Sequence, residues 1–342
     1  MAKSRNQLLN IVEAIATFLV VFIHFPFPGR AGAIVTALAR ISVPFFFCIS
    51  GFFFYKDDEK TEKHSVLRKI KRLLLLMVFS EVSYYLFYVA LQIQNTGFST
   101  QAFVTAATAE LNAFYLPQFI DYVVVFAPPF NGVLWFVGSL IVIYVVVHFI
   151  PRRHRSVLMI AVVLLLAGIL LRRILFYSQV NTTFPYERLL PVLPFPFFIV
   201  GYHIRKNQNY FNGVKDHVYA ISMIGGIAIT VLESFAGVHT LYFGTMLIVC
   251  TVIPWCAKHD DYTVNSIFGR IFSHIGGRTA TYIYVFHMMI GNILHVIVPR
   301  ILSIDESSAI YKWGIPIMIC IASACGAEVI YVIKERFLLK RR

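Results

Sequence analysis

Of the chain's 342 residues, 58% are hydrophobic and only 14% charged, a balance far outside that of water-soluble domains. A chain like this cannot fold around a water-facing surface, so the expected class is an all-α polytopic membrane protein. The net charge of +13 calls for no nucleic-acid partner, because bilayer topology alone places cations where these fall.

A hydrocarbon layer of about 30 Å takes roughly 20 helical residues to cross. Ten apolar runs of suitable length follow in order: 8–25, 33–55, 73–94, 133–150, 156–175, 187–204, 218–236, 240–257, 280–298 and 311–333. The first begins directly with MAKSRNQLLN and has no small-residue cleavage site after it, and is expected to be a retained span and not a removed signal peptide. The second contains Arg40 and the aromatic stretch VPFFFCISGFFFY. A basic loop, 56–72, leads to the third. The segment 95–131 has no Lys or Arg and could lay one or two short amphipathic helices on the outer surface. Neither a tandem repeat nor a low-complexity tract is evident, so residues 1–342 are expected to form one membrane domain.

Lys and Arg are retained on the cytoplasmic side. With the N-terminus inside, the inner segments hold Lys3 and Arg5, the cluster from Lys56 to Arg72, Arg152, Arg153 and Arg155, then Arg205, Lys206 and Lys215, then Lys258, Arg270 and Arg278, and finally Lys334 to Arg342. That is most of the 30 basic residues, and both termini are expected in the cytoplasm. Cys48, Cys250, Cys256, Cys320 and Cys325 form no C-x-x-C pair and read as small packing residues, with no metal site implied.

Chemistry must then lie in the polar residues that the bilayer tolerates, since a charge at membrane depth costs several kcal/mol. Candidates are Glu13, His24, Arg40, Glu81, Glu187, His203, His287 and Glu328, together with the basic run Arg68, Lys69, Lys71 and Arg72. Arg172, Arg173, Arg188 and Glu233 stand at span ends, where long side chains snorkel to the interface. Glu13 and His24 are eleven residues apart; eleven steps of 100° bring them to within about 20° of one helical face, about 16 Å apart along the axis. Two stacked ionisable groups could line a transverse polar channel, or be a packing histidine and an interfacial glutamate. Trp135 suits an interfacial anchor. His287 could line a cavity or bond a neighbouring helix, and Glu81 could pair with a basic residue. Ser50 and Gly51 allow close backbone approach of a helix or of a thin ligand arm.

The segments NIVEAIATFLVVFIHFPFPG, ARISVPFFFCISGFFFYKDDE and RKIKRLLLLMVFSEVSYYLF resemble the opening three spans of the integral-membrane acyltransferases of family 3. These are bacterial enzymes that use cytoplasmic acyl-CoA to esterify cell-surface carbohydrates. GVLWFVGSLIVIY, LPFPFFIVGYHIRKN and IGGRTATYIYVFHMMI agree in order and spacing, so the resemblance covers the whole chain. It implies an essential histidine at His24, a basic pair at Lys69 and Arg72 opening the third span, and an arginine at Arg40 ahead of the Ser50–Gly51 pair. Two positions depart from the pattern: Glu13 stands where the family has an arginine or lysine, and Asn10 where it usually has an aspartate. Glu13 is expected to form a salt bridge with Lys69 or Arg72.

The resemblance implies a multi-pass protein of the bacterial plasma membrane that takes an acyl group, acetyl in the first instance, from acyl-CoA to a hydroxyl of a cell-surface glycan or other envelope acceptor. His24 would be the general base, since imidazole has an ordinary pKa of about 6.5. Arg40 would orient its partner or stabilise the oxyanion. Arg68, Lys69 and Arg72 would meet the phosphates of CoA. Glu13, Ser50, Glu81, Trp135 and His287 are expected to line the cavity. A secondary transporter, or a catalytically inactive relative of the same fold, is the alternative.

Overall fold

The computed structural model describes residues 6–339 other than 97, 98, 100, 102, 106, 109–125, 127, 180–187 and 238–239. Glu187 and most of the outer segment 95–131 therefore lie outside the described residues. Among those described, the chain is helical with no strand. Eight stretches are long and apolar enough to cross a membrane: Gln7–His24, Gly29–Phe54, Glu59–Ile93, Gly132–Phe149, Arg155–Tyr177, Asp216–Phe235, Ile267–Leu302 and Ala309–Arg336. Two of the ten expected spans are shorter helices, Pro194–Lys206 with 13 residues and Phe243–Lys258 with 16.

The helices gather into two compact units, residues 1–55 with 197–342, and residues 56–196. In the first unit, α1 (Gln7–His24) begins where the Asn6 side chain accepts from the Leu9 N–H at 2.9 Å, an N-cap that satisfies one orphan donor. It ends at Phe25, whose N–H bonds the Val21 carbonyl. Pro26 follows at once, and the residue before a proline is driven out of helical geometry. α1 is the hub of the unit. It packs against α2 (Gly29–Ala39), α3 (Ser42–Phe54), the helix Ile267–His274, the π-turn Ile275–Thr279 and the long helices Ala280–Leu302 and Ala309–Leu339.

The expected second span is two helices, broken at Arg40 and Ile41. Hydropathy is continuous across the break, which is why the sequence shows one run. Glycines set two helix crossings. A Cβ on Gly51 would overlap the Phe198 carbonyl, and one on Gly201 would overlap the Cys48 carbonyl. The Ser50–Gly51 pair thus allows a neighbouring helix, Pro194–Lys206, to approach backbone to backbone. Gly226 and Gly244 do the same for Asp216–Phe235 against Phe243–Lys258. Replacing Gly201 by alanine is expected to cost about 1–3 kcal/mol, the range for overpacking, read as an earlier thermal transition in detergent. An unchanged transition would rule out the close crossing.

In the second unit, the basic stretch expected as a loop is helical: the third span starts at Glu59 and runs to Thr96. Lys, Arg and Glu are strong helix formers, and hydropathy alone conceals that. Asp58 caps the start, accepting from the Thr61 N–H and Oγ1 at 2.9 and 2.6 Å and from the Lys60 N–H at 3.2 Å. These bonds, those from Thr61 first, hold its carboxyl below the usual carboxylate range. The remaining described helices of this unit are Trp135–Phe149, entered by a 3₁₀ turn at Gly132–Leu134, and Arg155–Tyr177.

Candidate functional site

His24 occupies the last turn of α1 and is exposed. Helical spacing from the Asn6 cap, followed by the stop at Phe25 and Pro26, fixes the histidine at the very end of a mostly apolar rod. Its ring centre lies 5.2 Å from that of His287, with the planes tilted by 46°. His287 sits in Ala280–Leu302 and is 0% exposed. Its Nδ1 lies 2.7 Å from the Tyr284 carbonyl and 3.3 Å from that of Ile283. Carbonyls only accept, so Nδ1 carries the hydrogen. The bond expected to a neighbouring helix is made instead to the histidine's own helix, and the two histidines are brought together from sequence positions far apart.

The other predicted residues of this unit are dispersed. Arg40 is half-buried in the break between α2 and α3, and its N–H reaches the Thr36 and Ala37 carbonyls. Ser50 donates its hydroxyl to the Phe46 carbonyl one turn back. Glu13 is half-buried, and its backbone carbonyl accepts from Thr17 Oγ1 at 2.7 Å. One turn earlier, Asn10 is 7% exposed and its Nδ2 faces Ser273 Oγ at 3.4 Å. The π-turn presses on that residue: a Cβ on Gly276 would overlap the Asn10 carbonyl. Where the resemblance led to an aspartate, this chain thus has a buried amide against a π-turn, a local geometry common at functional sites. Nothing in hydropathy signals it.

Arg68, Lys69, Arg72, Glu81 and Trp135 belong to the second unit. Lys69 is half-buried, with Nζ 5.4 Å from the centre of the Tyr144 ring, while Arg68, Lys71 and Arg72 are exposed. Lys56 and Arg72 are both near enough to repel Lys69, so several cations share one small region. Glu81 makes no ion pair among the described residues. Its carboxylate accepts from the Phe130 and Asn131 N–H groups at 3.0 Å each, and Asn131 Nδ2 donates to Ser80 at 3.1 Å. It therefore fixes the entry to Trp135–Phe149. Trp135 lies under the Arg188 guanidinium, 5.3 Å from the ring centre, a cation–π contact.

Sequence reasoning missed three polar arrangements. Arg152, placed on topological grounds, is 2% exposed and bonded to Glu62, itself 0% exposed. Glu233 caps Phe243–Lys258, accepting from the Phe243 and Gly244 N–H groups at 3.2 and 3.1 Å. Glu328 meets His274 Nε2 at 2.8 Å, beside an open cleft of about 610 Å³ edged by Arg270 and Cys325. None of the predicted catalytic or phosphate-binding residues lines that cleft.

Long apolar helices, one of them ending in an exposed histidine, are those of a membrane protein. The sequence model of the acyltransferase-domain family, the family 3 acyltransferases, matches residues 6–332. The chain belongs to this family and is a membrane acyltransferase. No curated protein and no solved structure matches it.

Proposed function

We propose that this acyltransferase moves an acyl group, acetyl in the first instance, from cytoplasmic acyl-CoA to a hydroxyl of an extracytoplasmic glycan or other envelope acceptor. The observation that carries the reading is the exposed imidazole of His24 at the end of an apolar helix, in a chain of this family. The proposed arrangement is ten spans in a bacterial plasma membrane, eight long and two short, with both termini inside as the basic residues favour.

In the proposed reaction, a ring nitrogen of His24 takes the proton of the acceptor hydroxyl as its oxygen attacks the thioester carbonyl carbon. The C–S bond then breaks. The imidazolium returns the proton to the departing sulfur, which leaves the ester, free CoA and a neutral histidine. The partial negative charge of the last turn of α1 favours the transient imidazolium. Arg40 is proposed to stabilise the oxyanion, and Arg68, Lys69 and Arg72 to hold the phosphates of the donor.

Labelled acetyl-CoA supplied to inside-out vesicles provides the test. Release of CoA coupled to labelling of an envelope acceptor supports the reading, whereas solute uptake without CoA consumption would replace it with transport. Replacing Lys69 and Arg72 together by alanine is expected to raise the donor KM about tenfold or more, given about 1.5 kcal/mol or more for a hydrogen bond to a charged group. Added salt should raise the wild-type KM in the same direction. A donor KM unmoved by both changes would remove the cluster from the binding site.

A further inference from the structure

Of the buried polar groups in the first unit, His287 stands out because one face of its ring is fully assigned and the other is not. Nδ1 is committed to the Tyr284 carbonyl at 2.7 Å. That fixes the tautomer, and in the neutral ring Nε2 carries a lone pair. This nitrogen is buried and hydrogen-bonds to no other described residue. An unfilled buried acceptor is costly and calls for an explanation. The histidine facing it is His24, 5.2 Å away between ring centres. The Tyr284 ring, 6.2 Å off on the same helix, is the further aromatic neighbour.

The geometry points to His287 as the positioning residue of His24, its Nε2 lone pair accepting a hydrogen bond from the N–H of the His24 imidazolium. The inference rests on the acyl-transfer reading for its catalytic meaning, and goes beyond it by assigning a second histidine. No proton passes to His287. One His24 nitrogen holds the proton taken from the acceptor hydroxyl, and the other N–H points at His287. A neutral acceptor held by its own helix thereby orients the base and stabilises the charge it acquires, the part a carboxylate plays in a serine-protease triad. Contacts of this kind are often long before substrate binds and tighten during reaction.

Three substitutions separate positioning from packing. His287→Gln sets an amide oxygen near the place of Nε2. His287→Asn keeps a donor for the Tyr284 carbonyl but removes the distal acceptor, and His287→Leu removes both. With folding checked by yield and thermal transition, the Leu and Asn variants are expected to lose about 10–100-fold in kcat, the worth of a hydrogen bond to a charged group. KM for donor and acceptor should hold, and Gln should restore most of the rate. Gln as slow as Leu, or Asn as fast as wild type, would overturn the assignment.

A second measurement needs no turnover. In 15N-histidine-labelled protein, with pH stepped through the imidazole range, a nitrogen–nitrogen coupling across the hydrogen bond should link the two rings and vanish in His24→Ala. A turning-over enzyme without this coupling overturns the pairing and leaves acyl transfer standing. Coupling in a protein inert toward acyl-CoA keeps the pairing and overturns the acyl-transfer reading.

Discussion

Replacing His24 by alanine leaves a folded, inserted protein that transfers acyl groups about 10²–10⁴-fold more slowly, the usual contribution of a positioned general base. Folding should survive because the ring is exposed and α1 keeps its Asn6 cap and its Phe25 terminus. The loss should appear in kcat with little change in donor KM, since in the proposed reaction the imidazole acts on the hydroxyl proton and not on CoA. Initial rates of CoA release from vesicles, normalised to folded protein, provide the measurement. A variant that retains more than about a tenth of wild-type kcat would remove His24 from the chemistry.

Replacing Glu62 by alanine should destabilise the second unit by about 3–5 kcal/mol, the range for breaking a buried ion pair from one side. Glu62 is bonded to Arg152 and accepts from Arg153 Nη2 at 3.2 Å and from the Lys56 N–H at 3.2 Å. Arg153 also reaches the Lys56 and Asp57 carbonyls, at 2.6 and 3.2 Å, and Arg152 reaches that of Val147 at 2.8 Å. One carboxylate therefore ties the start of the Glu59 helix to the turn between Trp135–Phe149 and Arg155–Tyr177. Without it, two guanidinium groups keep their positions and lose their nearest counter-charge, with only the half-exposed Glu59 left at 3.9 Å from Arg152. The exposed pair Lys63–Glu59, at 3.1 Å, should contribute far less because water screens it. Thermal unfolding of Glu62→Ala and of Glu62→Leu/Arg152→Met decides the matter: the single variant should fall and the double variant recover. Equal losses in both would locate the cost elsewhere than in an uncompensated charge.

The membrane class, most of the spans and the family were legible because hydropathy, the histidine that closes the first span and the VPFFFCISGFFFY segment survive in one dimension. The break at Arg40 was not, since apolar residues run on both sides of it. The helical nature of 56–72 was hidden for the opposite reason, charge being taken as a sign of loop. Glu81 and Glu233 were visible as intramembrane acids, yet their partners are backbone N–H groups, which no residue letter encodes. Arg152 was read as a topological cation because its neighbour Glu62 lies 90 positions away. The closeness of His24 and His287 likewise depends on packing of the first span against the ninth. Both histidines were noticed in the sequence, whereas Glu62 was not; in each case only the fold supplied the pair.

The anchoring of α1 has a mechanical consequence. At its start, Asn6 Nδ2 donates to the Cys256 carbonyl at 2.6 Å, and Gln7 Oε1 accepts from the Val264 N–H at 2.8 Å. The 18 residues from Gln7 to His24 make a rod about 27 Å long at 1.5 Å per residue. These two bonds hold its start, and the imidazole stands at its other end. A tilt of about 2° at the pivot swings the far tip by about 1 Å, a displacement that can slow a reaction about a hundredfold. Substituting the amides that hold the start of α1 is thus expected to shift the ring at its other end, a rod's length away.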